Sequence, residues 1–161
     1  MPSEDKNIVV GVGEHKLCSE PDTVLATYAL GSCLGISVYH QSKKIGGILH
    51  AMMPTSRVGD KTRPAMFVDT GLETLMSEMR AKGLDIQDLE FKVFGGAQVM
   101  QADQYFRIGD KNVEAVRKFF EQHKISCSVW EIGGNVNRTI KLHLSTGKVS
   151  VRLSGQPEFF V

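Results

Sequence analysis

Cysteine is scarce: Cys18, Cys33 and Cys127 are the three in 161 residues, and none lies in a Cys-x-x-Cys pair. An odd, dispersed set forms no even disulfide framework, and reduced thiols point to the cytoplasm. Long hydrophobic runs are missing too. No apolar N-terminal stretch follows basic residues, and no uninterrupted segment reaches bilayer length, so neither a secretory leader nor a membrane span is expected. Nor does charge of one sign dominate. Nineteen Lys and Arg against eighteen Asp and Glu leave a formal +1, which makes no electrostatic case for nucleic acid or an anionic membrane. No repeat, low-complexity tract or linker divides the chain. The expected organisation is one domain over residues 1–161, long enough to bury a core without staples.

What is present is a series of short β-type segments interrupted by two helical ones. Residues 7–12 and 23–28 are rich in Val, Ile and Thr and read as strands. "LGISVYH" and "IGGILHAMM" read as two more, joined through the polar turn in "HQSKK". The polar segment "PTSRVGDKTRPA" is long enough to be an active-site rim or lid. "DTGLETLMSEMRAKG" predicts a helix with Asp69 or Thr70 as cap and Glu73 completing a capping box. Leu72, Leu75, Met76 and Met79 share one face of it, and Gly83 supplies the stop.

"LEFKVF" alternates as a strand that ends in a "GGAQ" turn, and "CSVWEI" is another strand. Between them "DKNVEAVRKFFEQHK" predicts a second helix that buries Val113, Val116 and Phe119 or Phe120. "RTIKLHLSTGKVSVRL" is a hairpin in which Ile140, Leu142 and Leu144 answer Val149, Val151 and Leu153. Strands outnumber helices and come in antiparallel pairs. The expected fold class is therefore α+β: a layered sandwich of mixed or antiparallel β-sheets packed with two main helices.

"TYALGSC", residues 27–33, delivers a cysteine out of a small-residue turn. If the following hairpin turns on Gln41 and Ser42, Cys33 stands directly opposite His50. If the loop is the four residues 41–44, His50 lies diagonal to Cys33 on the same face, because side chains alternate with period two. Opposite Cβ atoms are ~5 Å apart and diagonal ones ~7 Å. Either spacing allows a thiol–imidazole pair. Such a pair matters because the thiolate is the attacking species, an imidazolium lowers a thiol's pKa, and histidine can carry the proton to a leaving group.

"TYALGSCLGISVYH" followed by "IGGILHAMMP" resembles the signature of the CheD family, the chemoreceptor glutamine deamidases of bacterial chemotaxis. The resemblance continues through "FVDTGLETLMSEM", "FKVFGGAQVM", "IGDKNVEAVRKFFEQHKI" and "EIGGNVNRTIKLHLSTGKVSVR", from about residue 8 to residue 153. It departs at Glu131, where an aspartate is expected, and around Glu14–Cys18. The family's cysteine nucleophile, histidine and upstream threonine fall on Cys33, His50 and Thr27. What the resemblance implies is a layered αβ sandwich and a cytoplasmic enzyme that hydrolyses the glutamine side chains of methyl-accepting chemoreceptors. It also implies a CheC-type phosphatase as partner, and no cofactor or metal. A catalytically idle adaptor that grips receptors or the phosphatase is the alternative.

Other residues carry less. Ser32 is a turn residue that also lies where substrate would bind, and Arg57, Lys61 and Arg63 of the polar loop are expected to border the substrate groove. His15 and Cys18 are three apart, but two ligands make no zinc site. Cys127 and His143 sit in strand patterns, and His123 closes a helix, where a cation suits the dipole. The Gly95-Gly96 and Gly133-Gly134 pairs lack the spacing of phosphate loops and instead allow tight turns or a close backbone approach.

Overall fold

The computed structural model describes residues 5–56 and 63–161. Among them ten strands form two five-stranded sheets. The first sheet has the order β1 (Lys6–Val9), β3 (Thr23–Leu30), β8 (Arg138–His143), β9 (Val149–Leu153), β10 (Phe159–Phe160). The second has the order β2 (His15–Cys18), β5 (Ile45–Ala51), β4 (Leu34–His40), β6 (Leu89–Gly95), β7 (Cys127–Ile132). Three helices accompany them: α1 (Val68–Ala81), α2 (Gln101–Phe106) and α3 (Ile108–Gln122). The α+β sandwich is as expected. β1 runs parallel to β3 and β7 parallel to β6, so both sheets are mixed. β2, β10 and the short α2 are elements that the sequence pattern did not announce.

Alternation along the central strands builds two cores. From β4, Leu34, Ile36 and Val38 face one way, and they join Leu49 of β5, Phe91 and Val93 of β6, and the buried stripes of α1 and α3. Tyr39 of β4 and Ile48 of β5 face the other way and pack on Leu25, Ile140, Leu142 and Val151 of the first sheet. The molecule is thus layered sheet–sheet–helix. β4 and β6 are covered on both sides, so they read as near-continuous apolar runs. For the same reason the alternation expected in "LEFKVF" is incomplete: Lys92 and Phe94 are buried as well as Phe91 and Val93.

Both helix starts differ from expectation. α1 begins at Val68 with Phe67 as its N-cap, and no side chain caps it. Phe67 is held extended by a bridge to Met53. Asp69 and Thr70 therefore fall inside the first turn, where Asp69 accepts from the Ser56 N–H and Thr70 donates to Pro64 O. α3 begins two residues before Asp110, at Ile108. Its buried face is Gly109, Asn112, Val116, Phe119 and Phe120, with Val113 half-buried beside it. The β8–β9 register pairs Ile140 with Val151 and Leu142 with Val149, two residues away from the pairing that a Ser-Thr-Gly-Lys turn implies, and the even shift keeps the same side chains on one face. Leu144 belongs to the turn instead.

Gly109 shows how closely α3 is pressed onto the second sheet. A Cβ there would stand 2.5 Å from Gly96 O and 2.6 Å from Ala97 O. Gly→Ala in a helix ordinarily gains about 1 kcal/mol. Here the added methyl meets backbone and not a yielding side chain, so Gly109→Ala should destabilise the fold by ~1–3 kcal/mol. Urea denaturation of the two proteins checks it, and an unchanged or raised midpoint would show that α3 has room to lift.

Candidate functional site

β4 and β5 take the register of the four-residue loop. Gly35 pairs with His50, Leu34 with Ala51 and His40 with Ile45. Cys33, the residue before β4, accordingly lies diagonal to His50 on the face turned towards the first sheet. The position between them is Gly35, which has no side chain. Cys33 is half-buried, whereas His50 is buried to 1% exposure.

Thr27 reaches the same place from the other sheet. It lies on β3, is fully buried, and its Oγ1 is 2.7 Å from His50 Nδ1 and 2.7 Å from Val10 O. These two distances fix the tautomer. A carbonyl only accepts, so the single hydroxyl proton goes to Val10, and Thr27 Oγ1 must accept from His50. Nδ1 therefore carries the imidazole proton, and Nε2 is the bare, basic nitrogen. Nε2 is buried and takes no hydrogen bond. Burial pushes the His50 pKa down to about 4, so the ring is neutral at physiological pH. His50 is therefore a neutral imidazole and not the ready-made imidazolium that would lower a neighbouring thiol's pKa.

The turn that carries Cys33 is held from behind. Its three consecutive carbonyls are each tied: Gly31 O accepts from Ala97 N (2.8 Å), Ser32 O from Asn112 Nδ2 (2.9 Å) and Cys33 O from Gly96 N (3.0 Å). Gly95 makes that approach possible. Its φ is +104°, and a Cβ there would fall 2.3 Å from Cys33 O. The second glycine pair locks onto the first, with Gly133 N donating to Gly95 O (2.9 Å) and Gln98 N to Gly134 O (2.9 Å). Arg138, buried in β8, donates from Nη1 to Gly133 O (2.8 Å) and Gly95 O (3.3 Å) and pairs with Glu131 at 3.5 Å. On the strand before the Cys33 turn, Ala29 sits at φ +56° in a break of the β3–β8 register, a strained conformation of the sort that clusters at functional sites.

The remaining sequence candidates have surroundings of their own. Ser32 contributes a carbonyl to the brace. Arg63 is exposed, with Nη2 3.4 Å from Val12 O. Arg57 and Lys61 lie outside the described residues. His15 Nε2 meets Glu78 at 2.9 Å, Cys18 Sγ accepts from Glu20 N (3.4 Å), and burial raises the Cys127 pKa. None of the three cysteines is in a disulfide. His123 caps α3 and stacks on Phe119 at 4.2 Å between ring centroids, and His143 packs on Phe160. Two residues of the brace, Asn112 and Arg138, escaped the sequence reading. The legible signal was a polar side chain on a buried stripe: Asn112 precedes Val116 by one helical step. Met52, Met53, Val99, Met100, Tyr105 and Phe106, on the segments that follow β5 and the Gly95-Gly96 turn, are exposed apolar side chains.

A cysteine on a braced turn and a buried neutral imidazole thus share one face at one end of the second sheet. Comparison with known proteins shows the family. Residues 52–153 match the family described as CheD chemotactic sensory transduction. The chain is 36% identical to the probable chemoreceptor glutamine deamidase CheD 1 of Syntrophus aciditrophicus (strain SB), over 94% of this chain and 96% of that protein. It is 39% identical to the probable chemoreceptor glutamine deamidase CheD of Pyrococcus abyssi (strain GE5 / Orsay), over 91% of each. Among solved structures, the Bacillus licheniformis hypothetical protein YfiH is similar at 14% identity and a TM-score of 0.45, over 82% of this chain and 60% of that one. The chain belongs to the CheD family. No helix among the described residues is long and apolar enough to cross a membrane.

The His50 environment makes stability depend on pH in a definite direction. Unfolded, the ring takes its proton near 6.5; folded, only near about 4. Between those values the unfolded chain binds more protons, so stability rises with pH through the window and its full value is present above it. Acidification from pH 7 to 4 should cost wild type ~3 kcal/mol through this group. Denaturant titrations at pH 7, 5.5 and 4 should show a steeper loss for wild type than for His50→Gln. Parallel losses would mean that the folded ring accepts a proton freely.

Proposed function

We propose that this chain is a cytoplasmic protein-glutamine deamidase that converts glutamine side chains of methyl-accepting chemoreceptors to glutamate, with release of ammonia. The observation that carries the reading is the Thr27–His50 bond, which leaves Nε2 deprotonated on the face that Cys33 shares. His50 Nε2 takes the Cys33 proton as the sulfur attacks the carboxamide carbon. The tetrahedral intermediate collapses when the imidazolium hands that proton to the leaving nitrogen, and ammonia departs from a thioester. A water molecule then gives a proton to Nε2 and attacks the thioester carbon; glutamate forms, and the Cys33 thiol recovers its proton. Thr27 holds the tautomer throughout, with its own hydroxyl anchored on Val10 O. No step calls for a metal or cofactor.

The relatives' names supply the substrate class, and the exposed apolar side chains beside the site support a protein substrate over a small free amide. A receptor presents its glutamine on a helix, which cannot be threaded into a deep pocket, so docking is on the surface. We place Ser32, Arg57, Lys61 and Arg63 at the edge of that docking region, and a CheC-type phosphatase among the partners. A catalytically idle adaptor would bind the same receptors and leave their mass unchanged.

Incubation with a receptor cytoplasmic fragment, followed by peptide mass spectrometry, tests the reading. Each converted glutamine adds about one mass unit, and Cys33→Ala should remove the conversion while Cys18→Ala and Cys127→Ala keep it. A fully active Cys33→Ala protein would end the nucleophile assignment. Charge at an interface edge acts mainly on association and its salt dependence. Replacing Arg57, Lys61 and Arg63 with Ser should therefore slow receptor deamidation most at low salt, with alkylation of Cys33 by iodoacetamide unchanged. An unaltered rate and salt response would remove that loop from the docking edge.

A further inference from the structure

Asn112 is fully buried on the sheet-facing side of α3. Its amide nitrogen donates twice, to Ser32 O at 2.9 Å and to Met52 O at 3.1 Å. Those carbonyls belong to the two strand ends that flank the site. Ser32 immediately precedes Cys33, and Met52 follows His50 by two residues. The β4–β5 ladder ends at the pair Leu34 and Ala51. Beyond it the strands part company, because Met52 N and Met53 N both turn to Met66 O. Cys33 and Met52 would have been the next pair. What joins the two ends there is a side-chain amide, and it sets how far the Cys33 turn stands from the strand bearing His50.

We infer that Asn112 is a positioning residue for the reaction, holding the Cys33 thiol within proton-transfer reach of His50 by tying Ser32 to Met52. The chemistry of the position selects asparagine. Two carbonyls converge on one point and need two protons from a single atom, which a primary amide nitrogen supplies. Aspartate at neutral pH would present lone pairs to both carbonyls, leucine would present nothing, and serine has one proton. Among the described residues Asn112 Oδ1 has no hydrogen-bond partner, so the amide's contacts are the two that its nitrogen makes to Ser32 and Met52. α3 can act as a fixed post because Gly109, one turn earlier, rests directly on Gly96 O and Ala97 O.

The inference rests on the Cys33–His50 reading above, and its test separates the two. Asn112→Leu, of similar size and without a donor, and Asn112→Ser, with one, are each made in wild-type and His50→Ala backgrounds. Two rates are measured: deamidation of a receptor fragment, resolved into kcat and KM, and iodoacetamide alkylation of Cys33, which needs no glutamine. Misplacing a reacting group by about 1 Å costs on the order of 100-fold. Asn112→Leu should lower kcat about 10- to 100-fold, leave KM within about 3-fold, and abolish the effect of His50→Ala on alkylation, with Asn112→Ser intermediate. The role is overturned if a folded variant keeps kcat, or if His50→Ala slows alkylation by the same factor with and without Asn112, or if neither variant folds, which would assign the residue to stability. Wild type that alkylates in a His50-dependent way yet deamidates no receptor would fault the proposed substrate and leave the positioning role standing.

Discussion

The hydrogen bond between Thr27 and His50 crosses from one sheet to the other, and the candidate site depends on it. Thr27 belongs to the first sheet and His50 to the second, and their side chains meet at 2.7 Å inside the sandwich. The bond is directional because Val10 O has already claimed the threonine proton. Chemical identity therefore follows from packing: the distance between two sheets decides which nitrogen of an imidazole is basic. The same burial that makes the bond possible keeps the ring neutral, since a charged imidazolium between the sheets would lose its hydration without a counter-charge.

Rigidity around this bond is distributed unevenly. His50 sits within a ladder whose neighbours on both sides are paired, β2 on one edge and β4 on the other. Cys33 sits outside any ladder, on a turn, so its position has to be imposed from behind. That is the work of the two glycine pairs, Arg138 and α3. The glycine pairs adopt positive φ and bring backbone donors up against backbone acceptors, where a Cβ would intervene. Arg138 spans the two turns with one buried guanidinium, and its own partner Glu131 is the residue at which this chain departs from the expected aspartate. A glutamate there still reaches the arginine, at 3.5 Å, so the departure changes the length of the tether and not its charge.

Exposed apolar side chains are a liability unless something covers them. Met52, Met53, Val99, Met100, Tyr105 and Phe106 lie on the segments that follow His50 and the Gly95-Gly96 turn, and all are exposed. A polypeptide substrate is consistent with this character. The chemistry needs only a carboxamide, whereas the surroundings have the composition of an interface core.

Much of this was legible in the residues themselves. Strand period placed Cys33 and His50 on one face under either loop length, because only an odd register slip could separate them, and the buried faces of both main helices were visible in their spacing. The family could be read from "LGSC" and its neighbours. Helix starts could not, since Phe67 is fixed by a bridge to Met53 and not by a capping side chain. Lys92 and Phe94 looked like the outer face of a strand because local alternation does not say how many layers cover a sheet. Asn112 and Arg138 were passed over for a related reason: a lone polar residue in a helix or strand acquires a role only from the carbonyls that other segments bring to it. Sequence by itself determined which side chains share a face, a matter of local backbone periodicity. Tertiary structure alone decided that Thr27 meets His50 across two sheets and that Asn112 closes the gap between Ser32 and Met52, because these contacts join residues 23 and 60 to 80 positions apart, and only the packing of layers brings them within hydrogen-bonding range.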